Sequence, residues 1–90
     1  MAKKRDRIDI IQDMLSAIVD KGGQIKPTHL MYKGNLSHAQ MQGYLEELLG
    51  KECVNKVPRK GGEYFIITDK GREFLGKIRE MREFDRTFGL

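Results

Sequence analysis

The segment Pro27–Leu49 constrains the fold most. It reads Pro27-Thr28-His29-Leu30-Met31-Tyr32-Lys33, then Gly34-Asn35-Leu36, then Ser37-His38-Ala39-Gln40-Met41-Gln42-Gly43-Tyr44-Leu45-Glu46-Glu47-Leu48-Leu49. Proline suits a first helical position, where its missing N–H costs nothing. Gly34-Asn35 is a break, because both residues tolerate positive φ. Ser37 with Gln40 three residues on is a capping box that starts a second helix. In that helix Met41, Tyr44, Leu45, Leu48 and Leu49 recur at helical spacing as an inward face. The opposite face carries His38, Gln42 and Glu46, with Ala39 and Gly43 beside them. A short helix, a turn anchored by Leu36 and a second helix with a small, polar outer face make a helix-turn-helix. The second helix of that motif is shaped for a DNA major groove.

The flanking segments define what surrounds the motif. A first helix is predicted from about Asp6 to Asp20, with Asp6 as N-cap and Asp9 near the positive helix end. Ile8, Ile11, Leu15 and Ile18 form one apolar line, and Ile10, Met14 and Ala17 a second. Two lines exceed what a surface helix needs, so cover by the chain's own domain on one side and by something else on the other is expected. Lys21-Gly22-Gly23 ends the helix. After the motif, Val54 and Val57 precede Pro58-Arg59-Lys60-Gly61-Gly62, and Tyr64-Phe65-Ile66-Ile67 follow. The pattern predicts a β-hairpin with a basic, glycine-rich tip, the wing of such a motif. Thr68 then caps a long helix from about Asp69 to Phe88, ~30 Å at 1.5 Å per residue. Phe74, Ile78, Met81, Asp85 and Phe88 recur at 4-3-4-3, the spacing of a coiled-coil seam, and Leu75 and Phe84 widen it. Asp85 interrupts the apolar seam, unless it sets register against a basic neighbour such as Arg82 or Arg86. Such a helix overhangs a 90-residue domain, so its apolar far end needs a partner.

Composition excludes several classes. Net charge is +4, mildly basic. Residues 1–36 carry seven Lys/Arg against four Asp, whereas residues 37–68 balance at four each and residues 69–90 carry six against five. The single cysteine, Cys53, cannot form an internal disulfide, which fits a reducing cytoplasm. Next to Val54 it reads as a small core residue rather than a redox sensor. His29, His38 and Cys53 lack metal-site spacing, and no nucleophile–base pair is visible, so neither an enzyme nor a cofactor is expected. No apolar run reaches the ~18–20 residues of a membrane span, and no signal peptide or small-molecule effector site is read.

Helix, helix, turn, helix, hairpin and long helix resemble the archaeal winged helix-turn-helix family of small dimeric DNA-binding proteins with a C-terminal antiparallel coiled-coil helix. The resemblance rests on the Arg-rich start before Ile8-Asp9-Ile10-Ile11, on Lys26-Pro27-Thr28-His29-Leu30-Met31-Tyr32, and on Asn35-Leu36-Ser37. It continues through Tyr44-Leu45-Glu46-Glu47-Leu48 and Tyr64-Phe65-Ile66-Ile67-Thr68-Asp69-Lys70-Gly71. It implies a homodimer binding duplex DNA in transcription control or chromosome organisation.

The expected fold is therefore α+β, a winged helix-turn-helix over residues 1–68 with a dimerisation helix over residues 69–90, the two forming one structural unit. Ser37, His38 and Gln42 are expected nearest the bases, and Arg59 and Lys60 on the backbone beside them. Lys26, Thr28 and Lys33 suit phosphate clamping, and Lys3, Lys4, Arg5 and Arg7 a loose basic arm. Glu46 and Glu47 lie too far along the helix to reach bases and read as support or as partner surface. Phe74, Ile78, Met81, Phe84, Asp85 and Phe88 are expected at the dimer interface. The partners are double-stranded DNA and a second copy, on the nucleoid. The other reading is a winged-helix module that contacts a protein partner instead of DNA.

Overall fold

The computed structural model describes residues 5–89. Its elements in order are α1 (Arg7–Asp20), β1 (Gln24–Ile25), α2 (Pro27–Gly34), α3 (His38–Gly50), β2 (Val54–Arg59), β3 (Gly62–Ile67) and α4 (Asp69–Thr87). The fold is α+β, a winged helix with a long last helix, as the pattern of apolar spacing predicts.

Three of the four helices begin at a side-chain cap, and α2 opens on Pro27 without one. Asp6 accepts from the Asp9 amide at 2.8 Å and Asp9 returns the bond at 3.1 Å, a reciprocal box that opens α1. Ser37 and Gln40 do the same for α3. Asn35, not Gly34, takes the left-handed conformation (φ 53°) that ends α2. At the end of α3 the left-handed residue is Glu52, two residues after Gly50.

The core gathers around α1. Ile11, Met14, Leu15 and Ile18 are completely buried, and Ile10 and Ala17 nearly so. Both apolar lines are thus covered within the chain: α2, β1 and β3 pack on the helix, and α4 crosses it on another side. The expectation of a separate cover for the second line is corrected by this arrangement. The long last helix folds back over α1 and takes that place. Leu75 and Ile78 of α4 are buried against this core. Replacing one such residue by alanine typically costs ~2–5 kcal/mol, against ~0.2–1 for a surface ion pair. Apolar packing therefore holds α4 down, and the Arg82–Asp9 contact (2.6 Å) and the Arg79–Ser16 hydrogen bond (3.1 Å) align it.

The sheet has a strand the sequence pattern does not announce. Two residues, Gln24 and Ile25, pair with Ile66 and Phe65, so the antiparallel order is β1-β3-β2. A two-residue strand is too short to show alternation. It forms because Gly23, at φ 96°, turns the chain off α1 and offers its carbonyl to the Ile67 amide. Ile25, Val54, Phe65 and Ile67 face the helices and are buried. The hairpin register closes on Arg59↔Gly62, leaving Lys60-Gly61 as the tip.

The junction between β3 and α4 explains the Thr68-x-x-Gly71 pattern. Thr68 Oγ1 accepts from the Gly71 amide at 2.9 Å and donates to the Glu52 carbonyl at 2.7 Å. A side chain at Gly71 would put its Cβ 2.1 Å from the Cys53 carbonyl oxygen. Cap and close approach together seat α4 on the segment that leaves α3.

Two glycines of α4 should therefore respond oppositely to alanine. At Gly71 the backbone clash should outweigh the helix-propensity gain and destabilise by about 2 kcal/mol in urea unfolding. At Gly76, where a Cβ meets open space, the change should stabilise by about 0.5–1 kcal/mol. Equal effects at the two sites would contradict this seat for α4. The cap of α1 has an acid signature as well. The Asp9 amide and the Arg82 guanidinium hold the Asp6 carboxyl below its ordinary value of 3.8, despite some opposing desolvation. Its contribution is present when it is ionised, above pH 3.8, and is lost as pH falls through the lower folded value. Asp6→Asn should flatten that acid limb of a stability–pH curve while leaving the neutral plateau little changed.

Candidate nucleic-acid interface

Helix α3 is half core and half surface. Met41, Leu45 and Leu48 are buried, whereas Tyr44 and Leu49 are only half-buried. The exposed residues are Ser37, His38, Ala39, Gln40, Gln42, Gly43 and Glu46, so the first two turns present a wide, small-residue surface. Gln42 Nε2 and His38 Nε2 lie 3.4 Å apart on this face. Both side chains carry donors and acceptors suited to base edges, and Ala39 and Gly43 leave the helix backbone able to approach closely. Glu47, further along, is half-buried and paired with Arg7 and Lys51, in keeping with its reading as support.

The wing and the start of α2 are drawn together by β1. Arg59, expected at the tip, stands at the end of β2 opposite Gly62, and its guanidinium donates to Gln24 Oε1 at 3.2 Å. Lys26, the N-cap residue of α2, lies 5.7 Å from the Tyr64 ring centroid on β3. These contacts bring two cations that are 33 positions apart onto one face of the sheet. Lys60 extends beyond them in the turn and is exposed, as are Lys26 and Arg59. The alternation of the strands supports this face: Gln24, Asn55, Tyr64 and Ile66 point away from the core.

On α2, Leu30 and Gly34 face inward, while Thr28, His29, Tyr32 and Lys33 are exposed. Lys33 borders a groove with Asp13 and Asp20 at the far end of α2 from Lys26. Tyr32, which sequence reasoning left within the motif without a role, is 87% exposed, four residues on from Thr28. Its signal was its position off the Leu30–Gly34 face.

The arginines before and at the start of α1 have other work. Arg5 donates to the Gly34 carbonyl at 2.7 Å, to the Asn35 carbonyl at 3.0 Å and to Asp13 at 3.0 Å. It therefore caps the negative end of α2 and ties it to α1. Arg7 pairs with Glu47 and ties α1 to α3. The expected basic arm is corrected for these two, which pin the motif to the core, and Lys3 and Lys4 lie outside the described residues.

The seam of α4 is also shifted. Ile78 is 3% exposed, inside its own core, and cannot offer its side chain to a partner. Asp85 is half-buried, and neither expected neighbour pairs with it: Arg82 bonds Asp9 and Asp6, and Arg86 pairs with Glu83. The face left open runs instead through Lys70, Phe74, Lys77, Met81, Phe84 and Phe88, spaced 4-3-4-3-4. Met81, Phe84 and Phe88 are 47%, 55% and 65% exposed, and the two rings lie 4.7 Å apart. Among the described residues no cluster of His, Cys, Asp or Glu could hold a metal ion, and no helix is long and apolar enough to cross a membrane. Cys53 is buried in the core.

A model of the winged helix-turn-helix family matches residues 4–86. An uncharacterised protein of Methanocaldococcus jannaschii is 36% identical over 78 residues, which cover 87% of this chain and 34% of that protein. The chain thus spans about a third of the length of that relative. Among solved structures, Sso10a-2, a DNA-binding protein from Sulfolobus solfataricus, superposes with a TM-score of 0.82 at 20% identity over 93% of this chain and 85% of that one. F93 from STIV, a winged-helix DNA-binding protein, superposes at 0.77 and 16% identity over 89% and 92%. The transcriptional regulator BldR from Sulfolobus solfataricus gives 0.75 and 16% identity over 89% of this chain and 60% of its own. At these identities the likeness concerns the fold.

The pinning role of Arg5 separates from a DNA-contacting one by experiment. Arg5→Ala should lower unfolding stability by about 1–2 kcal/mol, since it strips charged donors from two carbonyls. The salt dependence of any DNA binding should stay unchanged. A shallower salt slope with intact stability would return Arg5 to the arm.

Proposed function

The chain belongs to the winged helix-turn-helix family, and on that footing we propose that it binds double-stranded DNA as a homodimer. In this reading residues 1–68 meet the DNA and residues 69–90 pair with a second copy, the two long helices running antiparallel. The role is that of a transcriptional regulator or chromosome-associated protein on an archaeal nucleoid. The observation that carries the reading is the open first half of α3, capped at Ser37 and lined outward by His38, Ala39, Gln42 and Gly43; the Lys26 and Arg59 cations that the sheet gathers on one face add to it.

Each part has a mechanical task. The core behind Met41, Leu45 and Leu48 holds α3 rigid, so its outer turns enter a major groove without reorganisation. Ser37, His38 and Gln42 meet base edges from one exposed face, on which the His38 and Gln42 side chains lie 3.4 Å apart. Lys26, Arg59 and Lys60 engage phosphates on one flank, with Thr28 as an uncharged donor to the backbone. Lys33, exposed at the other end of α2, adds a further phosphate contact. A two-fold dimer would present two α3 helices to half-sites about 34–36 Å apart, or a multiple of that.

Fluorescence anisotropy over a salt series tests the arrangement. Arg59→Ala with Lys60→Ala should weaken binding to all duplexes and reduce the salt slope by about two per bound protomer. An unchanged slope removes the wing from the interface. Gln42→Ala should alter preference among selected duplexes more than overall affinity, and equal losses on selected and random DNA would refute its place at the bases. Absence of binding by micromolar wild-type protein at ~50 mM salt would favour the protein-interaction module.

A further inference from the structure

The open face of α4 is chemically two-ended. Its far half is aromatic and bare: Met81, Phe84 and Phe88. Its near half carries Lys70, Phe74 and Lys77 on the same stripe. There the surface dips into a groove of about 570 Å³, with Cys53 and Phe74 at its base and Lys51, Lys70, Glu73 and Lys77 around it. Among the described residues, Lys70 and Lys77 have no acidic partner. An apolar base with a rim of three lysines against the single carboxylate of Glu73 suits the face of an aromatic ring, which carries partial negative charge and accepts both apolar stem and ammonium.

We propose that this groove is the seat for the aromatic end of α4 from a second copy, with Phe88 of that copy against Phe74 and its Phe84 ring beneath the Lys77 ammonium. The inference rests on the homodimer reading and adds its register. Met81 is the midpoint: Phe74 and Phe88 stand seven residues to either side, about 10.5 Å along the axis. A two-fold axis at Met81 therefore lays each aromatic end in the other copy's groove and fills both grooves at once. Aligning the helices in the same direction would instead set Lys70 on Lys70 and Lys77 on Lys77, stacking like charges on the seam. The groove also reaches past α4 to Lys51 and Cys53, which lie between the end of α3 and the start of β2. The end of the partner's helix thus touches the base of the DNA-reading unit and not only its helical mate, so that dimer formation braces α3 from behind.

Disulfide trapping in a Cys53→Ser background tests this register. Met81→Cys should link to itself. Phe74→Cys and Phe88→Cys should each fail to self-link, yet form a covalent dimer when mixed. Lys77→Met keeps the stem and removes the charge at an exposed site, and should raise the dimer dissociation constant roughly fivefold through the two lost cation–ring contacts. A wild-type chain that sediments as a monomer overturns the homodimer reading itself. A wild-type dimer whose Phe74→Cys and Phe88→Cys variants self-link, or stay unlinked on mixing, leaves that reading intact and overturns the seat. So does an unchanged dissociation constant for Lys77→Met.

Discussion

The burial of α1 is the constraint from which the architecture follows. Six of its residues lie in the core, on a face too wide for a single neighbour to cover. The helix-turn-helix covers one side of it, the sheet another, and α4 must fold back to cover the rest. Once α4 is committed by Leu75 and Ile78, its next turn still meets α1 through Arg79 and Arg82, and beyond Ile78 it buries no further residue. The radius of gyration is 13.5 Å, against the ~12 Å of a compact chain of this length, and the long axis reaches 47 Å. The overhang and its exposed rings are therefore consequences of how α1 is buried.

The same geometry sorts the cations by task. Arg5, Arg7 and Arg82 face α1 or its termini and spend their charge on helix ends and carboxylates. Those that remain free on the sheet side, Lys26, Arg59 and Lys60, are gathered there by a two-residue strand. Net charge alone does not separate these groups. A guanidinium that caps a helix and one open to a phosphate look alike in a composition, and partner geometry distinguishes them.

Most of the fold was legible because its signals are local. A capping box needs four consecutive residues, so Asp6 and Ser37 announced their helices. The hairpin announced itself through β-branched and aromatic runs around glycines. Strand β1 was not legible, because two residues have no period and their pairing partner lies some 40 positions away. The site was legible in part. His38 and Gln42 were placed on the open face by helical spacing alone, whereas the Arg59–Gln24 and Lys26–Tyr64 contacts depend on sheet order. The inward and outward stripes of α4 were not separated by the sequence, for a related reason. Phe74, Ile78, Met81, Asp85 and Phe88 share a spacing that fits either an inward or an outward face, and only the position of α1 decides that Ile78 turns in and Lys77 turns out.

By itself the sequence determined the elements, their order and their caps, since these depend on hydrogen bonds and side-chain spacing within a few residues. It also determined that the last helix would be longer than the domain beneath it. The tertiary structure alone decided which arginines are structural, which lysines share a face with the wing, and which stripe of α4 stays open. Those outcomes rest on contacts between residues far apart in the chain, where a side chain's neighbours are set by how whole elements pack.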